Sequence, residues 1–282
     1  MSSPLPPLLP PDSHVHSEWS WDAPAGSMED SCARAIGLGL PAIAFTEHLD
    51  HTAWTVEPHD EFPASIVSPD GVLTPPRFDA VGYLSAVDRC RQRFPGLRIL
   101  SGVEVGEPHR HADAVMAVLA VGTFDRVLGS LHCLPIDGGF TEPPGLYRRH
   151  SAAEVVRRYL AEVARMVGDS DLFSVLAHVD YPLRYWPAGT AGPVDVSMFE
   201  AEFRHALRAT ARSGRVLELN TRIPSIQTTL LRWWRDEGGA AVTFGSDAHR
   251  AAEVAENFRE AADLASANGF RPTANPYEPW IR

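Results

Sequence analysis

The chain has 282 residues, 44 % hydrophobic and 22 % charged, a composition that argues against a disordered chain and supplies apolar material for a substantial core. A formal net charge of -11 repels nucleic acid and anionic membrane surfaces, which favours a small-molecule partner over a polyanion. Three widely spaced cysteines, Cys32, Cys90 and Cys133, fit neither a disulfide framework nor a zinc ribbon and point to a reducing compartment. The opening "MSSPLPPLLPP" (1–11) reads as a flexible proline-rich start without a secretion signal. No stretch approaches the roughly 18 apolar residues of a membrane span, so a cytoplasmic protein with no membrane partner is expected.

Apolar runs and helix-period segments alternate along the chain. "SHVH" reads as a first strand. Ser27, with Asp30 three residues on, reads as the N-cap of a helix that Gly37 and Gly39 end. "AIAFTEH" (42–48) reads as a buried strand, and 50–76, rich in Pro, Asp and His, as a long loop. Phe78 to Phe94 carries a helical stripe of Val81, Leu84, Val87 and Cys90, closed by Pro95 and Gly96, before the strand "LRILSGVEV" (97–105). A helix at 111–121 precedes the strand "RVLGSLH" (126–132). After a second insertion, 133–150, a longer helix with Val155, Val156, Tyr159, Leu160, Val163 and Val167 on one face precedes "FSVLAH" (173–178). Helix 197–213, strand "VLELN" (216–220), helix 226–237, strand "AVTFGSD" (241–247) and helix 253–268 follow. Such alternation is the signature of a parallel α/β sheet, open or closed, within a single domain over 1–282.

Nearly every strand delivers a ligand-type side chain at its C-terminal end. These are His14 and His16; Glu47 and His48; Glu104; His132; His178 and Asp180; Glu218, Asn220 and Arg222; and Asp247 and His249. In a parallel barrel those ends share one face, where such folds hold their chemistry. His14 and His16, like Asp247 and His249, are two apart in extended segments and project to the same side. Imidazole with carboxylate suits zinc, manganese or iron, and about nine candidates exceed what one tetrahedral ion takes, which implies two or three ions. Ions roughly 3.5 to 4 Å apart activate a water and clamp a phosphoryl group, so hydrolysis of a phosphate ester is the expected reaction.

"HVH", "FTEH", "GVEVG", "GSLH", "LAHVD", "ELN" and "GSDAH", in that order, resemble the motifs of the PHP (polymerase and histidinol phosphatase) superfamily, and the whole is similar to its histidinol-phosphate phosphatase branch. The resemblance implies a distorted seven-stranded (β/α)7 TIM-like barrel with three divalent metal ions. It implies that His14, His16, Glu104 and Asp247 hold the first ion, and that Glu104 bridges to a second held by His132 and His178. Asp22, with Glu18 as a nearby competitor, would hold the third with His48 and His249. It also implies that Arg184, after "AHVDYP", meets the substrate phosphate, with Arg222 as a second candidate; the planar guanidinium fork suits two phosphate oxygens. The substrate so implied is L-histidinol phosphate, on the route to histidine. Another small phosphate ester, such as a nucleotide, stays open, as does a non-catalytic metal-binding barrel. Asp247, His249 or a metal-bound water would serve the leaving oxygen.

Other residues are expected to play quieter parts. Glu47 and Asp180 would orient imidazoles, and Glu218 would do the same or serve only as a polar strand residue. His51, His59, His109, His111, His150 and His205 read as structural or surface residues, with His51 and His59 in a loop over the site. Cys32, Cys90 and Cys133 read as packing residues, and Arg148, Arg149, Arg157 and Arg158 as a solvated helix face. Trp19, Trp21, Trp54 and Trp186 lie near motif segments and suit either the core or the wall of a pocket for a flat ring.

Overall fold

A computed structural model describes residues 9–56, 62–63 and 65–282. His59 and the first eight residues of the proline-rich start lie outside the described residues. The main sheet contains β1 (Asp12–Val15), β2 (Ala42–Leu49), β3 (Arg98–Gly106), β4 (Arg126–Ser130), β5 (Val175–Leu176), β6 (Val216–Asn220), β7 (Ala241–Gly245) and β8 (Trp280–Ile281). They lie side by side in chain order. All neighbours pair in parallel except β7 and β8, which are antiparallel. The expected seven strands are therefore joined by an eighth. It pairs over just two residues, too short to leave a period in the sequence.

The central pair explains the position of the chemistry. β2 is buried along nearly its whole length, the continuous apolar run of a strand covered on both faces. It pairs with β3 from Ala42↔Arg98 to Leu49↔Val105, which sets His48 beside Glu104. The helix Ala80–Arg93 (α2) is fastened to this pair by Tyr83, whose hydroxyl donates to the Phe45 carbonyl at 2.7 Å and accepts from the Gly102 N–H at 2.9 Å. Gly102 has no alternative: a Cβ there would sit 2.7 Å from the Arg126 carbonyl. Met28–Leu38 (α1) begins at Ser27, which accepts from the Asp30 N–H, and ends at Gly39 with φ 72°. Gly37, expected to end it, lies inside. Cys32 and Cys90 are buried between α1 and α2 with Tyr83 and Phe45.

Farther along the sheet, Ala152–Asp169 (here α4, after Ala112–Leu119, α3) buries the expected stripe from Val155 to Val167. It packs in one apolar cluster with Phe203 and Leu207 of α5 (Glu200–Arg212) and Trp233 and Trp234 of α6 (Pro224–Asp236). The last expected helix is shorter, Phe258–Ala267 (α7), preceded by an irregular stretch in which Ala255 and Asn257 have positive φ. That stretch brings the Ala255 N–H to Asp12, whose carboxylate also accepts from the Ser246 N–H and hydroxyl. The expected strand 173–178 pairs only over Val175–Leu176, because the chain turns at His178, φ 20°. The two insertions are not plain loops. Each carries a small hairpin, Trp54–Thr55 with Val72–Leu73 and Leu134–Ile136 with Gly139–Thr141.

Candidate metal centre

Glu104, on β3, is fully buried and stands between two groups of imidazoles. Its Oε1 lies 2.6 Å from His178 Nε2 and 3.3 Å from His132 Nε2, while Oε2 lies 3.3 and 3.4 Å from the Nε2 atoms of His14 and His16. Asp247 Oδ1 approaches the same two nitrogens at 3.7 and 3.4 Å. Asp247 reaches them from β7 by a left-handed turn, φ 56°, strain of the kind that folds store at working sites. His48 and His249 place their Nε2 atoms 3.2 and 3.0 Å from Asp22 Oδ2. His14, His16 and Asp247; Glu104, His132 and His178; and His16, His48 and His249 each present ligand atoms within 4.8 Å of one another.

The groups behind these rings fix which nitrogen faces inward. His14 Nδ1 donates to Glu218 at 2.6 Å, and His16 Nδ1 to Ser20 Oγ at 2.9 Å, whose hydroxyl passes on to Glu47 at 2.6 Å. Both Nε2 atoms thereby face inward, 3.1 Å from one another. Glu218 and Glu47 thus act as expected, Glu47 through a serine. Asp180 does not: it accepts from Gln227 at 3.2 Å and meets no imidazole within hydrogen-bonding range among the described residues.

Glu18 turns away from the site and accepts the Met28 N–H at 2.6 Å, at the start of α1, so Asp22 is the carboxylate facing His48 and His249. Arg184 NH1 donates to Asp247 Oδ2 at 2.7 Å, and its Nε and NH2 are buried without a hydrogen-bond partner among the described residues. Arg222 is not brought to the cavity; it is engaged by the Asp247 carbonyl and by Glu253 at 2.9 Å. A cavity of about 190 Å³ opens over the cluster, with Arg184, Tyr181, Trp21 and Trp54 in its lining. Trp19 instead packs on Tyr83, and Trp186 on Tyr147 and Phe199.

Asp50 belongs to the site although the sequence reading leaves it in a loop. Its carboxylate lies 3.4 Å from the Nδ1 atoms of both His48 and His132 and accepts from Trp21 Nε1 at 3.0 Å. Gly106 makes this possible, because a Cβ there would collide with Asp50 Oδ1. The signal was present, since Asp50 follows His48 at the same two-residue spacing that pairs His14 with His16. Glu107 is likewise unforeseen; it accepts the backbone N–H groups of His132 and Cys133 at 2.7 and 2.8 Å and so fixes where His132 points.

The charges are strongly coupled. Burial alone would push His48 down, yet Asp22, Asp50 and Glu104 lift it to about 10. Against the same burial effect, Glu218 and Glu104 raise His14, and Glu104 and Asp50 raise His132. Burial would raise Glu104 and Asp247, but His14 and His132 hold the first, and Arg184 and His14 the second, well below the carboxylate range. Glu104 and Asp247 therefore stay ionised within the cluster.

The chain is similar to known proteins along nearly its whole length. The chain is 27 % identical over 274 residues to the histidinol-phosphatase of Lactococcus lactis subsp. lactis, covering 93 % of each. It is 27 % identical over 264 residues to a Deinococcus radiodurans protein described as "Probable histidinol-phosphatase", covering 89 % of this chain and 90 % of that one. The crystal structure of the Lactococcus histidinol phosphate phosphatase, complexed with zinc, L-histidinol and phosphate, superposes with a TM-score of 0.78 at 24 % identity, over 96 % of this chain and 99 % of that one. The profile of the PHP domain matches residues 12–222, which take in seven of the nine candidate ligands, all but Asp247 and His249, and the chain belongs to the PHP domain family.

Proposed function

We propose that this chain is a metal-dependent phosphomonoesterase acting on L-histidinol phosphate, with three divalent cations of zinc, manganese or iron in its cavity. One observation carries the proposal: the two oxygens of Glu104 address two separate imidazole sets at the floor of a cavity that also holds Arg184. The donor set fits cations. The Nε2 atoms of His14 and His16, facing at 3.1 Å, repel unless a proton or cation lies between them. Buried Glu104 Oε2, Asp22 Oδ1 and His178 Nδ1 lack hydrogen-bond partners among the described residues, and such atoms are costly to bury unanswered.

His14, His16, Glu104 and Asp247 would hold one ion, Glu104, His132 and His178 a second, and Asp22, His48 and His249 a third. Bound there, the cations supply Lewis acidity, which acidifies water and offsets phosphoryl charge. Arg184, held by Asp247, presents its remaining N–H groups to phosphoryl oxygens. Asp247 and His249, in the cavity lining beside it, are the protein groups available to hold or pass the proton that the departing alcohol needs. Arg222 steadies the turn at Asp247 by binding its carbonyl. We read the seven parallel strands as a distorted (β/α)7 barrel in one domain. The β1–β7 seam supports this: Val15 bridges Ala248, and the Asp247 N–H donates to the His14 carbonyl at 2.8 Å.

The test is phosphate release across a panel of esters. L-histidinol phosphate is turned over faster than a generic aryl phosphate if the proposal holds; equal rates would remove the specific substrate. Proton release offers a second check. Raised pKa values mean that His14, His48 and His132 hold protons near neutrality, so an incoming cation must displace them, and uptake tightens as pH rises toward those values. Calorimetric Zn²⁺ titration of the metal-free protein in buffers of different ionisation enthalpy should show net proton release, with affinity growing from about pH 6 to about pH 9. Heats independent of the buffer would count against these imidazoles as ligands.

A further inference from the structure

The strand ends supply the cavity's floor, and the two insertions add Trp54 and Glu142 to walls that also hold Trp21, Tyr181 and Arg184. Thr141, at the end of the second hairpin, donates to the Thr55 carbonyl of the first at 3.0 Å and ties them together. The next residue, Glu142, lines the cavity. Its Oε1 accepts from the Tyr181 hydroxyl at 2.9 Å. The Tyr181 ring lies 5.1 and 5.4 Å from the rings of His178 and His132, and the Arg184 guanidinium stands 5.2 Å from its centroid. One tyrosine side chain therefore separates the cation that meets phosphate from a carboxylate outside the metal cluster.

A carboxylate in a cavity that must admit a phosphate anion works against entry, because like charges repel across a poorly solvated space. It becomes an advantage when the alcohol part of the ester is itself cationic, since the same group then attracts the correct substrate and disfavours neutral or acidic ones. We infer that Glu142 is a specificity-determining residue that selects phosphate monoesters whose alcohol carries a protonated amine. The inference rests on the phosphomonoesterase reading and extends it to a substrate class. The aromatic wall of Trp21 and Trp54 packs the remaining apolar part of such an ester.

The experiment compares L-histidinol phosphate with its N-acetyl derivative in the metal-loaded wild type and in Glu142→Gln. Each ratio is internally controlled, so a general loss of folding cancels. The preference in kcat/KM for the amine ester over the acetylated one falls roughly 10- to 100-fold in the variant, the size of a lost charged hydrogen bond, while Glu142→Asp recovers part of it. Binding of the free alcohols, L-histidinol against N-acetyl-L-histidinol, is measured in the same proteins by calorimetry and shows the same loss of preference. An unchanged ratio in both measurements overturns the assignment. Absence of turnover of every ester, with the amine still preferred in binding by the wild type and not by the variant, would remove the phosphatase reading and leave Glu142 as the amine's partner.

Discussion

Replacing Glu104 with alanine lowers kcat on phosphate esters by at least ~10³-fold, the scale of losing a charge-organising group at the reacting centre, and reduces the bound metal. The reason lies in the bidirectional contact of its carboxylate: His132 and His178 meet one oxygen, and His14, His16 and His48 the other. Among the described side chains Asp50 also spans the two sets, through His48 and His132, but it does not reach His14, His16 or His178. Alanine leaves the imidazoles crowded around a void, and their mutual repulsion loosens the site. Kinetics with metal in excess, elemental analysis and thermal unfolding of the same preparation separate loss of chemistry from loss of fold. Near-wild-type turnover with metal present would show that the two imidazole sets do not share an anion.

Arg184→Ala is expected to lower kcat/KM by about 10²- to 10³-fold, in the range found for removing a preorganised donor to developing charge. Two effects combine. The phosphoryl group loses a fork that can reach two oxygens, and Asp247 loses the hydrogen bond of 2.7 Å that fixes its second oxygen. Arg184→Lys restores the charge but not the fork, so it recovers only part of the activity. Inhibition by inorganic phosphate reports binding apart from chemistry and should weaken in both variants. Full activity in the lysine variant would mean that charge alone suffices.

The parts legible in the sequence were those fixed by local rules. Pairs such as His14 with His16 declared themselves because extended backbone repeats every two residues, and β2 and β3 because strands buried on both faces are continuously apolar. Asp50 obeyed the same spacing from His48, yet a segment rich in Pro, Asp and His hid the last turn of the strand. Glu18 and Asp22 could not be separated in one dimension. What separates them is that the Met28 N–H, at the start of α1, needs an acceptor, and Glu18 is close enough to serve. Arg222 followed a strand end as Arg184 did, but it met Glu253 and the Asp247 carbonyl first, contacts set by the irregular chain before α7. The two hairpins, one bearing Trp54 and the other ending just before Glu142, form by tertiary pairing, which leaves no period.

Anomalous diffraction from crystals of the metal-loaded protein, recorded on either side of the absorption edge, addresses the central claim most directly. Three peaks in the cavity are expected: one against His14, His16 and Asp247, one against His132 and His178, and one against Asp22, His48 and His249, with the Glu104 carboxylate between the first two. A cavity without peaks under saturating metal, or cations bound only at sites that Glu104 does not touch, would contradict it.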